Sequence, residues 1–317
     1  MFLLLNIKKR LLPIVIMLSL LLTMLSGCQQ KAPKGAVATV NGEIISETDF
    51  NSSFDMYKKV YEEKYGADIM KKDAGNDKTF EEVIKEKILE NLISEEVVLQ
   101  NASKQKITVT DEEVKNQIDS YKELLGGAEK FQDFLKKNNM TEKYFTDGTK
   151  KNMIIQKYSD AYMKKIKITD EEAQKYFDEN KDKFVKIRAS HILVKEEEEA
   201  NNIIKRIKAG EDFHSLASTE SIDTNSAVQG GDLGYFGKGQ MDAEFEKAAF
   251  SLKPGEMSGP VKSQFGYHII LVEDKLDKFK DVKDDVISSL KNSKFDEHVK
   301  KLREESDVKK YIEISSK

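Results

Sequence analysis

At 317 residues the chain is long enough for two domains with separate cores. It is 34% charged and 9% aromatic, with no Trp and four Pro, a profile of long solvated helices rather than an all-β protein. A net charge of −4, with Lys and Glu finely interleaved as on ordinary solvated helix faces, gives no sign of a nucleic-acid partner.

The first element is a targeting segment rather than part of a fold. Lys8, Lys9 and Arg10 precede the apolar run Leu11–Leu25, which is short for a transmembrane helix and suited to a signal-peptide core. Leu25-Ser26-Gly27-Cys28 follows and resembles a bacterial lipobox, and Cys28 is the only cysteine in the chain. This reading makes residues 1–27 a lipoprotein signal peptide and 28–36 a tether carrying diacylglyceryl on Cys28. Two acyl chains, each contributing about 0.8 kcal/mol per buried methylene, hold a membrane far better than one. Processing removes three basic residues and no acidic one, which moves the net charge from −4 to −7. A mature chain with one lipidated cysteine forms no internal disulfide, so packing alone must stabilise it outside the cell.

Asn41-Gly42 between two short apolar runs predicts a hairpin, and Ser46 with Asp49 predicts the helix start that follows it. Phe50, Phe54, Tyr57, Tyr61 and Tyr65 then share one helical face, and Phe80, Val83, Ile84, Ile88 and Leu92 repeat the pattern. The aromatic stripe reads by default as core; a cleft gripping apolar client segments is the alternative, and the sequence leaves both open. Thr110 with Glu113 and Thr169 with Glu172 each spell a capping box, and a long helix is expected over Tyr144–Ile166.

Near Phe184 the pattern changes. VKIRASHILV predicts a strand, Glu197–Ala209 a helix, and the segment around Phe213 and Leu216 a second helix. GGDLGYFGKGQM is followed by a compact helix, DAEFEKAAFSL, and by two closing strands, GPVKS and YHIILVED. The order β-α-α-β-α-β-β is that of a small α+β domain. Helical periodicity resumes from Leu276 through Leu302, and the tail YIEIS reads as one more strand.

The glycine-rich stretch raises the possibility of a phosphate cradle, and its flanks oppose it. Gly237-Lys238-Gly239 runs into Gln240 rather than Ser or Thr, and Asp242 and Glu244 already occupy the positive end of the next helix. Taken with RASHILV, EFEKAAFSLKPGEMSGPV and FGYHIILVED, the stretch closely resembles the parvulin family of peptidyl-prolyl cis-trans isomerases. With the lipobox and the helical flanks, the whole chain is similar to the PrsA-type foldase lipoproteins, with SurA-type chaperones as more distant relatives.

That resemblance implies an α+β fold: a small four-stranded antiparallel sheet with helices, inserted in a mainly α-helical chaperone domain built from the N- and C-terminal segments. The corresponding ranges are 37–184 for the first helical part, 185–275 for the isomerase domain and 276–317 for the C-terminal helical segment. It also implies His191, Asp223 and His268 as catalytic residues, Leu233, Met241 and Phe245 as the socket for the proline ring, and no cofactor or metal. Met241 and Phe245, four apart on a helix, would otherwise be plain core, and His214 and His298 fall outside the motifs. The first-strand loop reads KEEEEA, Lys195–Ala200, which would repel a phosphorylated substrate. The expected clients are therefore unphosphorylated Xaa-Pro segments of unfolded exported proteins, met at the extracytoplasmic side of the cell membrane. A holdase with an inactive parvulin module is the alternative, the long helical flanks argue against a two-lobed solute-binding lipoprotein, and a homodimer is left open.

Overall fold

The computed structural model describes residues 32–314. The signal-peptide segment, Cys28 and the tether through residue 31 lie outside the described residues. From the N-terminus the elements are β1 (Ala36–Val40), β2 (Glu43–Ser46), α1 (Glu47–Tyr65), α2 (Phe80–Lys104), α3 (Asp111–Leu124), α4 (Ala128–Lys137) and α5 (Glu142–Lys165). Then come α6 (Asp170–Glu179), α7 (Lys181–Phe184), β3 (Lys186–Val194), α8 (Glu197–Lys208), α9 (Phe213–Glu220), α10 (Thr224–Ala227) and β4 (Asp232–Gly237). The chain closes with α11 (Ala243–Ser251), β5 (Val261–Ser263), β6 (Gly266–Leu276), α12 (Phe279–Glu304) and β7 (Val308–Lys310). Among the described residues no helix is long and apolar enough to cross a membrane.

Two compact units result, one built from the chain up to Ile166 together with Asn292 onward, the other from Lys167–Lys291. The first is mainly helical and carries a small antiparallel sheet in the order β2-β1-β7. Its hairpin turns where the sequence predicts: Asn41 and Gly42 both have positive φ, 51° and 90°, as a tight two-residue connection between twisted strands demands. Ser46 caps α1 by accepting the Asp49 N–H at 3.0 Å. Apolar residues of the sheet, α1 and α2 form one core, with Val40, Phe50 and Ile93 almost wholly buried. A second core joins α3, α4 and α5, where Phe131 and Tyr121 meet the ring of Phe145 edge-on at 5.2 and 5.3 Å. The aromatic stripe of α1 divides accordingly: Phe50 and Phe54 are core, Tyr57 and Tyr61 are partly buried, and Tyr65 is exposed. The expected tail strand lies earlier than YIEIS. Pairing with β1 runs through Val308–Lys310, while Tyr311 retains a single backbone bond to Val37 and the described chain then leaves the sheet.

The second unit is α+β, with a four-stranded antiparallel sheet in the order β4-β3-β6-β5. Strand β3 is buried along nearly its whole length because both of its faces are covered. Alternate side chains sort the cores. Ile192, Val194 and Ile269 pack with α8 and α9, while Ile187, Ala189, Ile270 and Val272 pack with α11. A further cluster joins α6, α7 and the start of α12 through Phe177, Phe184 and Val286. The one departure from the expected element order is α10, a single turn between α9 and β4.

Candidate active site

The two strand histidines belong to the central pair of the sheet. β3 and β6 align Leu193 with His268 and His191 with Ile270, so the histidines are diagonal neighbours on the α11 face. Both are buried, and their Nδ1 atoms stand 3.1 Å apart with the rings 22° from coplanar. On the far side of His191, Nε2 meets Asp223 Oδ2 at 2.8 Å and Ser226 Oγ at 3.1 Å. On the far side of His268, Nε2 meets Ser263 Oγ at 2.7 Å.

The ends of this chain fix its protons. The Phe265 backbone N–H can only donate, and it donates to Ser263 Oγ at 3.0 Å. At the other end an ionised Asp223 can only accept, so His191 donates from Nε2; where His191 is neutral, its Nδ1 then accepts the His268 Nδ1–H and His268 Nε2 accepts the Ser263 hydroxyl proton. Every polar atom in the row is partnered, with His268 neutral and the Asp223 carboxylate charged.

The electrostatics agree. Burial foremost, and then repulsion from His191, push the His268 pKa from 6.5 down to about 4. Burial works to raise the pKa of Asp223, but hydrogen bonds from Ser226 and His191 outweigh it and hold the carboxyl below its ordinary 3.8.

Asp223 is positioned by α10, whose turn it caps through Oδ1 to the Asn225 N–H at 3.3 Å. Its Oδ2 is left for His191 and for Ser226, whose hydroxyl donates at 2.6 Å. Neither Ser226 nor Ser263 belongs to the sequence motifs that mark the histidines and the socket. The available signal was a hydroxyl residue three positions after Asp223 and another five before His268, a spacing that gains meaning only once α10 and the β5–β6 hairpin exist.

Phe245 projects from α11 into the same place. Its ring meets His191 edge-on at 5.7 Å and His268 at 5.2 Å, and it is almost fully buried. Leu233 of β4 and Met241, just before α11, are half-buried against the same cluster. An apolar surface therefore adjoins the polar row. The glycines fit it by close approach: a Cβ on Gly231, at φ +83°, would lie 2.3 Å from the His191 carbonyl oxygen. Asp242 caps α11 through the Glu244 N–H, so the helix end that would hold a phosphate is already occupied by a carboxylate. Phe265 is 62% exposed and enters the polar row only through its backbone N–H.

The remaining histidines have structural partners. His214 Nδ1 lies 2.9 Å from the Gly230 carbonyl. His298, in the helical unit, lies 2.8 Å from the Tyr158 hydroxyl and stacks on Tyr162 at 4.2 Å. The helical unit also has a groove of about 740 Å³ whose lining includes Met56, Tyr57, Leu92, Leu99, Tyr144 and Ile155. Cys28 lies outside the described residues.

Comparison with known proteins assigns both parts of the chain. Residues 171–276 match a PPIC-type PPIase domain, and residues 1–159 match a SurA-like N-terminal domain. The foldase protein PrsA of Caldanaerobacter subterraneus subsp. tengcongensis is 39% identical over 284 residues, 87% of each chain. Its counterpart from Clostridium botulinum is 37% identical over 292 residues, covering 86% of this chain and 85% of the relative. A crystal structure of the peptidylprolyl isomerase PrsA from Bacillus anthracis is 32% identical and covers 69% of this chain and 94% of its own, with a TM-score of 0.34. The chain belongs to the PrsA family of foldases and is a chaperone with a parvulin-type peptidyl-prolyl cis-trans isomerase domain.

Proposed function

We propose that the isomerase centre is the row Asp223–His191–His268 beside an apolar socket of Leu233, Met241 and Phe245. The observation that carries this reading is a fully partnered polar row, with both histidines buried, directly against an apolar surface. A prolyl bond faces a rotational barrier of roughly 18–20 kcal/mol because resonance places partial double-bond character in the C–N bond and negative charge on oxygen. No covalent bond has to break, so the site needs no nucleophile. It must favour the twisted amide, in which the oxygen has lost charge and the nitrogen has regained its lone pair. An apolar socket does this by offering little solvation to the more polar planar amide. An ionised Asp223 does it by raising the energy of a partly anionic carbonyl oxygen more than that of the twisted form. The paired histidines hold that carboxylate in place, His191 by a direct hydrogen bond and His268 through His191.

The chain would act on unphosphorylated Xaa-Pro segments of unfolded exported proteins, anchored at the extracytoplasmic side of the cell membrane by diacylglyceryl on Cys28. The exposed acidic start of α8, Glu196–Glu199, supports the choice of unphosphorylated clients. The groove of the helical unit supports a holding role for apolar client segments.

The test is isomerisation of a proline peptide by the full-length protein. Asp223→Ala should lower kcat/KM by about one to two orders of magnitude, through kcat. Met241→Ala should raise KM about tenfold, since the socket loses apolar contact with the ring. Wild-type kinetics in both variants would remove the site assignment. No acceleration by the wild-type chain would leave a holdase.

A further inference from the structure

We propose that Ser226 is a positioning residue of the isomerase site: its buried hydroxyl locks the Asp223 carboxylate against His191 and thereby fixes the tautomer of both paired histidines. The inference rests on the reading of Asp223, His191 and His268 as the catalytic row.

Three observations carry it. The Ser226 hydroxyl has its strong bond to Asp223 Oδ2 at 2.6 Å, and its alternative, the Asp223 carbonyl at 3.5 Å, is too distant to compete. Ser226 is not what caps α10, because Asp223 Oδ1 does that, so local helix geometry does not require this hydroxyl. The backbone of Ser226 meanwhile closes the loop onto the site: its carbonyl accepts the Gly231 N–H, and the Gly231 carbonyl accepts the His191 N–H, both at 2.9 Å. Hydroxyl and backbone therefore bring α10 and β3 to one fixed separation around the His191 imidazole.

The Asp223 side chain is 24% exposed. Without the hydroxyl it keeps only the His191 bond on Oδ2 and can rotate towards solvent about its capping atom. The groups facing it are His191 from β3, with His268 behind, and Ser226 and the Asn225 N–H from α10. Losing one of the two donors on Oδ2 raises the carboxyl pKa and loosens the preference of His191 for a proton on Nε2.

The experiment compares wild type, Ser226→Ala, Ser226→Thr and Asp223→Ala as full-length proteins. Proline-peptide isomerisation, the carboxyl carbon signal of Asp223 against pH, and thermal unfolding are measured for each. Ser226→Ala should lower kcat about five- to tenfold with KM unchanged, and should move the Asp223 midpoint up by about one pH unit. Ser226→Thr, which keeps the hydroxyl, should restore both. A Ser226→Ala protein that loses only thermal stability, with wild-type kcat and Asp223 midpoint, overturns the proposal and leaves Ser226 as packing. If Asp223→Ala itself turns over normally, the catalytic row fails and takes this inference with it. Poor folding of Ser226→Ala leaves the decision to Ser226→Thr, whose kinetics and midpoint must then match wild type.

Discussion

In the proposed isomerase row the carboxylate must stay charged, which depends on its donors, and Asp223 has three of them: Ser226, His191 and the Asn225 N–H. The complementary requirement falls on His268, which must stay neutral. Its imidazolium would sit buried against His191, and the more distant Asp242 and Asp223 only partly compensate. The folded pKa of about 4 lies below the ordinary 6.5, so between those values the unfolded chain binds a proton that the folded chain refuses. The stabilisation from neutral His268 is complete above pH 6.5 and is lost as pH falls towards about 4. The stability of the isomerase unit should drop by on the order of 3 kcal/mol across that window. Urea unfolding at a series of pH values checks this, and His268→Gln should flatten the slope. An equal slope in the variant would assign the pH dependence elsewhere.

Elements were legible wherever local chemistry decides them. The Asn41-Gly42 turn, the Thr110 and Thr169 capping boxes and the strands carrying His191 and His268 all stand where periodicity and turn residues put them. Less legible was α10, because one turn has no period, and its formation depends on Asp223 finding both its cap and His191. The tail strand was misplaced by its own composition. Tyr311, Ile312 and Ile314 look more strand-like than Val308–Lys310, yet Ile312 and Ile314 are drawn onto the core beneath the sheet rather than into the ladder. Of the proposed site, the histidines and the socket residues could be read from the family motif, while Ser226 and Ser263 required the folded geometry. The capping boxes give an element-scale prediction. Thr110 accepts the Glu113 N–H at 3.1 Å, and Glu113 returns a bond to the Thr110 N–H at 2.7 Å. Thr110→Ala should cost about 1 kcal/mol of stability, as should Thr169→Ala at the corresponding box of α6. Thermal unfolding should show each loss in the unit that carries the box, and a loss in neither would mean that water replaces the hydroxyl without penalty.

For the whole molecule, the decisive feature is that one helical unit is assembled from both ends of the chain, while the segment between them in sequence forms an isomerase unit with its own cores. The C-terminal segment is integral to the helical unit. Phe295 and Val299 are nearly fully buried with Val98, Ala102 and Tyr158, and Arg303 and Lys310 converge on Glu90, the former at 2.6 Å. Burial alone would raise the Glu90 pKa, but these two cations hold it below the ordinary carboxylate value. The proposed isomerase row draws on none of these residues. Phe295→Ala opens a cavity beside Tyr158 and Tyr162, whose rings lie 6.2 and 5.6 Å from it. It should destabilise the helical unit by about 3–5 kcal/mol. Short proline peptides should still be isomerised at the wild-type rate, whereas suppression of aggregation by an unfolded client should fall as the helical unit melts. Parallel measurement of both activities during thermal unfolding checks this, with the holding activity lost first. Simultaneous loss of both would mean that the two units unfold as one cooperative body and that the isomerase depends on the helical frame for its stability.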